Sequence, residues 1–285
     1  PLFSVKSFKQ LGLRDDLFRG IAAMGFSKPS TIQEKALPCL LGDPPQNMIA
    51  QSQSGTGKTA TFLLTMLSRL NPDLNYCQCV CMAPTLELAA QIADVAKRMS
   101  RFMTKVNIGT AIRGVQMNLN SEGFLSDQVV VGTPGTLLNY VNHKRGKLDM
   151  NKVIVFVLDE ADVLISESGF LPTSRRIRQK VTEKCQILLF SATYEEEILE
   201  FANEMVPNPV EIRVKTSELA LKNIKQYFMK LHDRNAKYKA IVDIYGVFSV
   251  GQSIIFCATK VEASWLKKKM FEDGHEVTLL SSELD

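Results

Sequence analysis

The chain has 285 residues, 45% hydrophobic and 22% charged, and its mean hydropathy is near zero. That balance excludes a disordered tail, a collagen-like repeat and a disulfide-dense miniprotein, and the length suits about two domains. The formal net charge of +4 is spread as +3 through Lys215 and +1 beyond it, which excludes a strongly basic nucleic-acid module.

Short, nearly continuous apolar runs recur at 47–51, 78–82, 106–112, 128–131, 153–158 and 186–190. Runs without polar alternation are covered on both faces, which is the habit of parallel strands sandwiched by helices. Helical spacing fills the intervals at 58–70, 86–102, 135–141 and 195–205. Strand-helix alternation of this kind predicts a doubly wound α/β domain. Pro207 and Pro209 interrupt the pattern, a short strand is expected at 210–214, and a polar linker at 216–223. The alternation then restarts, with strands expected at 224–231, 253–257 and 276–280 and helices at 235–247 and 261–271.

The longest apolar run, 153–158, is far too short to cross a membrane, so no membrane partner is expected. Nothing in residues 1–20 resembles a signal peptide, and because the chain opens on Pro1 a start further upstream is expected. Of six cysteines, Cys77, Cys79 and Cys81 alternate along one strand with no fourth ligand in view. They read as small buried hydrophobes in a reducing compartment, cytosol or nucleus. His143, His232 and His275 are isolated and read as surface or helix-end residues.

The chemistry concentrates in two places. Ser52, Gln53, Ser54, Gly55, Thr56, Gly57, Lys58 and Thr59 follow a predicted strand and open a predicted helix, the setting of a phosphate-binding loop. Gly55 and Gly57 let the backbone approach an anion, and successive N–H groups plus the helix N-terminus hold phosphate oxygens. Lys58 is expected to reach the outer phosphates and the Thr59 hydroxyl to bind Mg2+. The generic pattern has Gly where Ser52 stands, and Ser is still small. About 100 residues on, Asp159 ends an apolar strand at the edge where open α/β sheets bind ligands. There it would hold Mg2+ opposite Thr59, while Glu160 would orient or deprotonate an attacking water.

Asp159, Glu160, Ala161 and Asp162 spell the DEAD box, and the chain resembles the DEAD-box family of ATP-dependent RNA helicases. Residues 25–33 look like the Q motif with Phe8 as its upstream aromatic, 84–89 resembles PTRELA, 133–135 resembles TPGR, 191–193 matches SAT, and 254–259 resembles motif IV. The likeness implies a complete RecA-like parallel sheet preceded by a Q-motif segment at 1–34, with the ATP-binding domain at 35–215. A second, truncated RecA-like domain is implied at 224–285. It also implies ATP and Mg2+ as cofactors. Gln33 would pair with adenine N6 and N7, the geometry by which Gln reads adenine in DNA, and Phe8 would pack on the base, although as a sequence signal it is equally a buried helix residue. Ser191 and Thr193 would link Asp162 to domain closure. RNA, single-stranded or in short duplexes, would be gripped without reading bases by Pro84, Thr85, Arg113, Gly114, Thr133, Pro134, Gly135 and Thr259.

Leu86 replaces the Arg of PTRELA, Arg113 and Gly114 replace a Gly-Gly pair, and Thr136 replaces the Arg of TPGR. The last two departures, the Gln-Ser repeat before Gly55, Trp265 and residues 274–277 resemble the mRNA-export branch, which implies a monomer at the nuclear pore, cytoplasmic or nuclear, with a nucleoporin and an export activator as partners. The family's arginine-rich HRIGRTGR string is absent, and an arginine finger is worth about 10³–10⁵ in rate. This chain alone is therefore expected to bind nucleotide and hydrolyse it very slowly. A nucleotide-gated RNA-binding adaptor and a translation-initiation-type helicase are the competing readings. Two basic runs, Lys267 to Lys269 and Arg175, Arg176, Arg178 with Lys180, read as solvated faces, the second also as a possible protein contact.

Overall fold

A computed structural model describes residues 5–51, 55–142, 148–166, 170–193, 195–213, 225–248 and 251–281. Ser52, Gln53, Ser54, His143 and the linker expected at 216–223 lie outside the described residues. The chain divides into two compact units, Pro1–Leu221 and Lys222–Asp285.

In the first unit the apolar runs become seven strands: β1 (Met48–Gln51), β2 (Cys79–Met82), β3 (Ile108–Ala111), β4 (Val129–Gly132), β5 (Val155–Leu158), β6 (Gln186–Ser191) and β7 (Val210–Ile212). All pair in parallel, in the order β3-β4-β2-β5-β6-β1-β7. Every residue of β2, β4, β5 and β6 is buried, as their uninterrupted hydrophobicity requires. The helices are α1 (Asp15–Ala23), α2 (Thr31–Leu41), α3 (Lys58–Arg69), α4 (Leu86–Met99), α5 (Pro134–Asn142), α6 (Ala161–Ser166), α7 (Phe170–Arg178) and α8 (Glu196–Met205). α3 is apolar on nearly every side and is buried accordingly. Its Phe62 stacks at 5.4 Å on Phe190 of β6. Asn47 fixes β1 in the sheet, accepting from the Ile187 N–H (2.8 Å) and donating to the Pro207 carbonyl (2.7 Å).

Three details differ from the sequence reading. Cys79 and Cys81 share one face of β2, but Cys77 precedes the strand and packs into the opposite core layer. Burial pushes the Cys185 thiol up to about 12 and those of Cys79 and Cys81 well above their ordinary range. Phe8 sits in a short 3-10 turn (Phe8–Leu11), 2% exposed and edge-on to Phe26 at 6.1 Å, so protein covers its ring. On α7 the basic run is partly engaged: Arg175 forks onto Glu204 (2.6–3.0 Å) and Arg178 donates to the Met205 carbonyl (2.7 Å), tying α7 to α8.

The second unit contains α9 (Arg234–Val247) and α10 (Lys260–Glu272). The strands expected at 224–231, 253–257 and 276–280 are not formed among its described residues. They are unpaired segments that expose Phe228 at 87% and Phe256 at 92%. The reason is physical. Helix hydrogen bonds close within four residues, whereas a strand exists only when a neighbouring ladder takes its N–H and C=O groups.

Phe190→Ala should cost about 3–5 kcal/mol by emptying the space beneath α3. A urea midpoint within experimental error of the parent would contradict this packing.

Candidate active site

β6 alone separates β1 from β5, so Gln51, Ser191 and Asp159 end side by side on the carboxyl edge of the sheet. At a strand spacing of about 4.8 Å, the outer tips stand about 10 Å apart. Gly55 (φ +79°) and Gly57 (φ +101°) take left-handed backbone in the turn leading to Lys58, the first residue of α3. Lys58 is buried, Thr56 and Thr59 are half-buried, and Gly55 is exposed.

Asp159 is 3% exposed, and its Oδ1 accepts the N–H of Glu160 at 3.1 Å. Burial raises its pKa most. Lys58 and the Glu160 N–H pull it down, the charges of Glu160 and Asp162 push it up, and the result is about 6. Lys58 therefore acts electrostatically on Asp159 across the crevice. Glu160 itself is left-handed (φ +51°), a conformation costing a non-glycine residue about 1 kcal/mol. Thr193 donates to Asp162 Oδ2 at 3.3 Å, and Ser191 Oγ is buried with no partner among the described residues. The expected contact between the SAT and DEAD segments is thus made by Thr193, with Ser191 lying beneath it in β6.

Gln33 lies in the first turn of α2, 3% exposed. Its Oε1 accepts the Ser30 N–H (2.9 Å) and its Nε2 donates to the Gly57 carbonyl (3.2 Å). These two bonds decide which end of the amide is oxygen. Each amide atom retains one further lone pair or hydrogen, the complement of an adenine edge. A Cβ on Gly57 would come within 2.7 Å of Gln33 Nε2 and 2.8 Å of Ser30 Oγ. Ser30 escaped the sequence reading, although a Ser three residues before Gln was a legible capping signal.

The loops expected to contact RNA follow three adjacent strands of the same edge. Ala83 N–H bonds the Gly132 carbonyl (3.0 Å) and Thr133 N–H bonds the Ala111 carbonyl (3.2 Å), drawing Pro84–Thr85, Arg113–Gly114 and Thr133–Gly135 together. Thr85 caps α4 by accepting from the Leu88 N–H (3.2 Å), and Thr85, Arg113, Gly114 and Gly135 are exposed. Pro84 and Pro134 are buried, while Thr133 Oγ1 reaches Thr136 Oγ1 at 3.2 Å. Thr259 stands in the second unit as the cap of α10, accepting from the Glu262 N–H (3.1 Å).

Asp159 has a folded pKa above its unfolded value, so its charged form destabilises the nucleotide-free chain above about pH 6 and the penalty fades as pH falls toward 4. Asp159→Asn should therefore stabilise the chain at pH 7.5, by at most about 3 kcal/mol, and by about half as much at pH 5. Urea unfolding at both values checks this, and a gain that grows toward low pH would have the wrong sign. Gly57→Ala, clashing with Gln33 and forced to φ +101°, should abolish binding of a fluorescent ADP analogue in equilibrium titration.

The DEAD/DEAH box helicase family matches residues 30–201. The ATP-dependent RNA helicase DDX25 of Mus musculus is 50% identical over 284 residues, which cover 100% of this chain and 58% of the relative. The chain thus spans less than two thirds of that relative's length. Among solved structures, S. cerevisiae Dbp5 bound to RNA and ADP BeF3 matches with a TM-score of 0.86 and 41% identity, over 99% of this chain and 70% of that one. A Dbp5 variant bound to Nup159, Gle1, IP6 and ADP matches with a TM-score of 0.72 and 40% identity, over 96% and 70%. A parallel sheet with its phosphate turn and acidic tip flanking one strand, matched over more than half of its length, places this chain in the DEAD/DEAH box helicase family.

Proposed function

We propose that the chain is the nucleotide-binding part of an ATP-dependent RNA helicase that remodels RNA or RNA–protein complexes in mRNA export. The observation that carries this reading is that buried Lys58, opening α3 after the glycine turn that follows β1, and buried Asp159, following β5, belong to one sheet edge with only β6 between the two strands. A buried cation and a buried carboxylate at one sheet edge, with left-handed glycines in the turn before the cation, fit a magnesium-bound nucleoside triphosphate. Magnesium, when bound, supplies the charge that neutralises the phosphate oxygens.

The protein's own groups would do the rest. Lys58 and the N–H groups of the turn bind phosphate, and Thr59 and Asp159 hold the metal. Gln33 selects the base, and Glu160 orients and deprotonates the attacking water. Thr193 and Asp162 tie the segment after β6 to the acidic tip. Backbone amides and hydroxyls of the three edge loops grip the RNA phosphates and 2′-OH groups without reading sequence. The modest net charge of +4 accords with such a grip. The matched Dbp5 structures, bound to RNA or to Nup159 and Gle1, support an RNA ligand, a nucleoporin and an activator protein as partners at the nuclear pore. By itself this chain should turn over very slowly, because the arginine-rich string is not in it.

Glu160→Gln should leave binding of nucleotide and RNA within about twofold and abolish phosphate release in a protein that also carries the arginine-rich string, since only proton handling is removed. Unchanged turnover would remove Glu160 from its role.

A further inference from the structure

β3 and β4 run in parallel, yet residues 112–128 join them without a helix. Parallel neighbours ordinarily need a helical crossover to hold the returning chain against the sheet. Here the return is a hairpin-like finger: Leu119 bridges Leu125, Asn120 N–H bonds the Phe124 carbonyl (2.8 Å), and Ser126 N–H bonds the Asn118 carbonyl (3.1 Å). The finger begins immediately after the turn holding Arg113 and Gly114, where Gly114 is left-handed (φ +86°).

Its inner side is closed by one acid. Asp127 is 2% exposed, and its Oδ1 accepts from Asn118 Nδ2 at 3.3 Å. Its Oδ2 is buried and has no hydrogen-bond partner among the described residues. Asp127 and the buried Met117 together fill the place where a side chain on Gly109 of β3 would stand, since a Cβ there would overlap Met117 Cε and Asp127 Oδ2. A buried carboxylate with one oxygen unpaired is a poor stabiliser of a fold. Such costs persist where they hold a functional segment in place.

We propose that Asp127 is a positioning residue for RNA binding: by clasping Asn118 and packing on Gly109 it pins the crossover to β3 and so fixes the Arg113–Gly114 turn on the loop-bearing edge. This rests on the RNA reading above. The acid touches no RNA itself. It shapes the segment that would.

The test measures binding of a short fluorescein-labelled oligouridylate and, separately, of a fluorescent ADP analogue to the 285-residue chain. Asp127→Ala should weaken RNA binding at least about fivefold, the scale of one lost hydrogen bond, with ADP affinity within about twofold. Asp127→Asn keeps the acceptor and the shape, and should restore RNA affinity. Gly109→Ala, which displaces the same contact from the strand side, should repeat the Asp127→Ala result. If Asp127→Asn is as weak as Asp127→Ala, charge rather than position matters and the proposal fails. Equal loss of RNA and ADP binding in both Asp127→Ala and Gly109→Ala would make the residue merely structural, and unchanged RNA affinity in both would equally overturn it. A parent chain that binds ADP but no oligouridylate would sink the RNA reading itself, and this proposal with it.

Discussion

Two opposite charges, Lys58 and Asp159, are held out of water on either side of a single strand, and the site depends on that arrangement. Neither residue would be tolerated alone at such burial, because an unpaired charge in a low-dielectric interior costs several kcal/mol. The partial offset is visible in Asp159: burial raises its pKa, Lys58 lowers it again, and the balance at about 6 leaves the carboxylate charged but destabilising at neutral pH. A divalent cation with phosphate oxygens would complete the charge balance that the protein leaves open. The strained backbone of Glu160 belongs to the same local compromise, in which stability is given up for a preset geometry.

Gln33 and the glycine turn before α3 are physically continuous. The Gly57 carbonyl accepts from the Thr61 N–H (3.1 Å), the Thr61 hydroxyl (2.9 Å) and the Gln33 amide (3.2 Å). A carbonyl oxygen has two lone pairs, so three donors crowd it and the longest contact, that of Gln33, is the weakest. Gln33 is nevertheless held from its other side by Ser30, and its orientation is set before any base arrives. The covered ring of Phe8 belongs to this packing, buttressing the segment from within the core.

The same sheet edge gathers the three loops proposed to meet RNA. β2, β4 and β3 end beside one another, so three loops distant in sequence present exposed Thr85, Arg113 and Gly135 together. β5 adjoins β2, which places the acidic tip one strand away from these loops. Parallel pairing thus makes neighbours of the acidic tip and the three exposed loops.

Much of this was legible from residues alone. The uninterrupted apolar runs specified a two-faced parallel sheet because nothing else buries such segments. The glycine-lysine turn and the acidic strand end made phosphate and metal chemistry the natural expectation because few other residue types can supply it. Tertiary structure decided what depends on partners distant in sequence. The segments expected as strands at 224–231, 253–257 and 276–280 have strand-like sequences, but among the described residues no ladder joins them. Phe8 has an aromatic ring whose faces were taken by the core. Asp127 acquires its place against Gly109 only through folding. Local periodicity and side-chain chemistry are written in the chain itself, whereas burial, pairing and pKa arise only when remote residues share one environment.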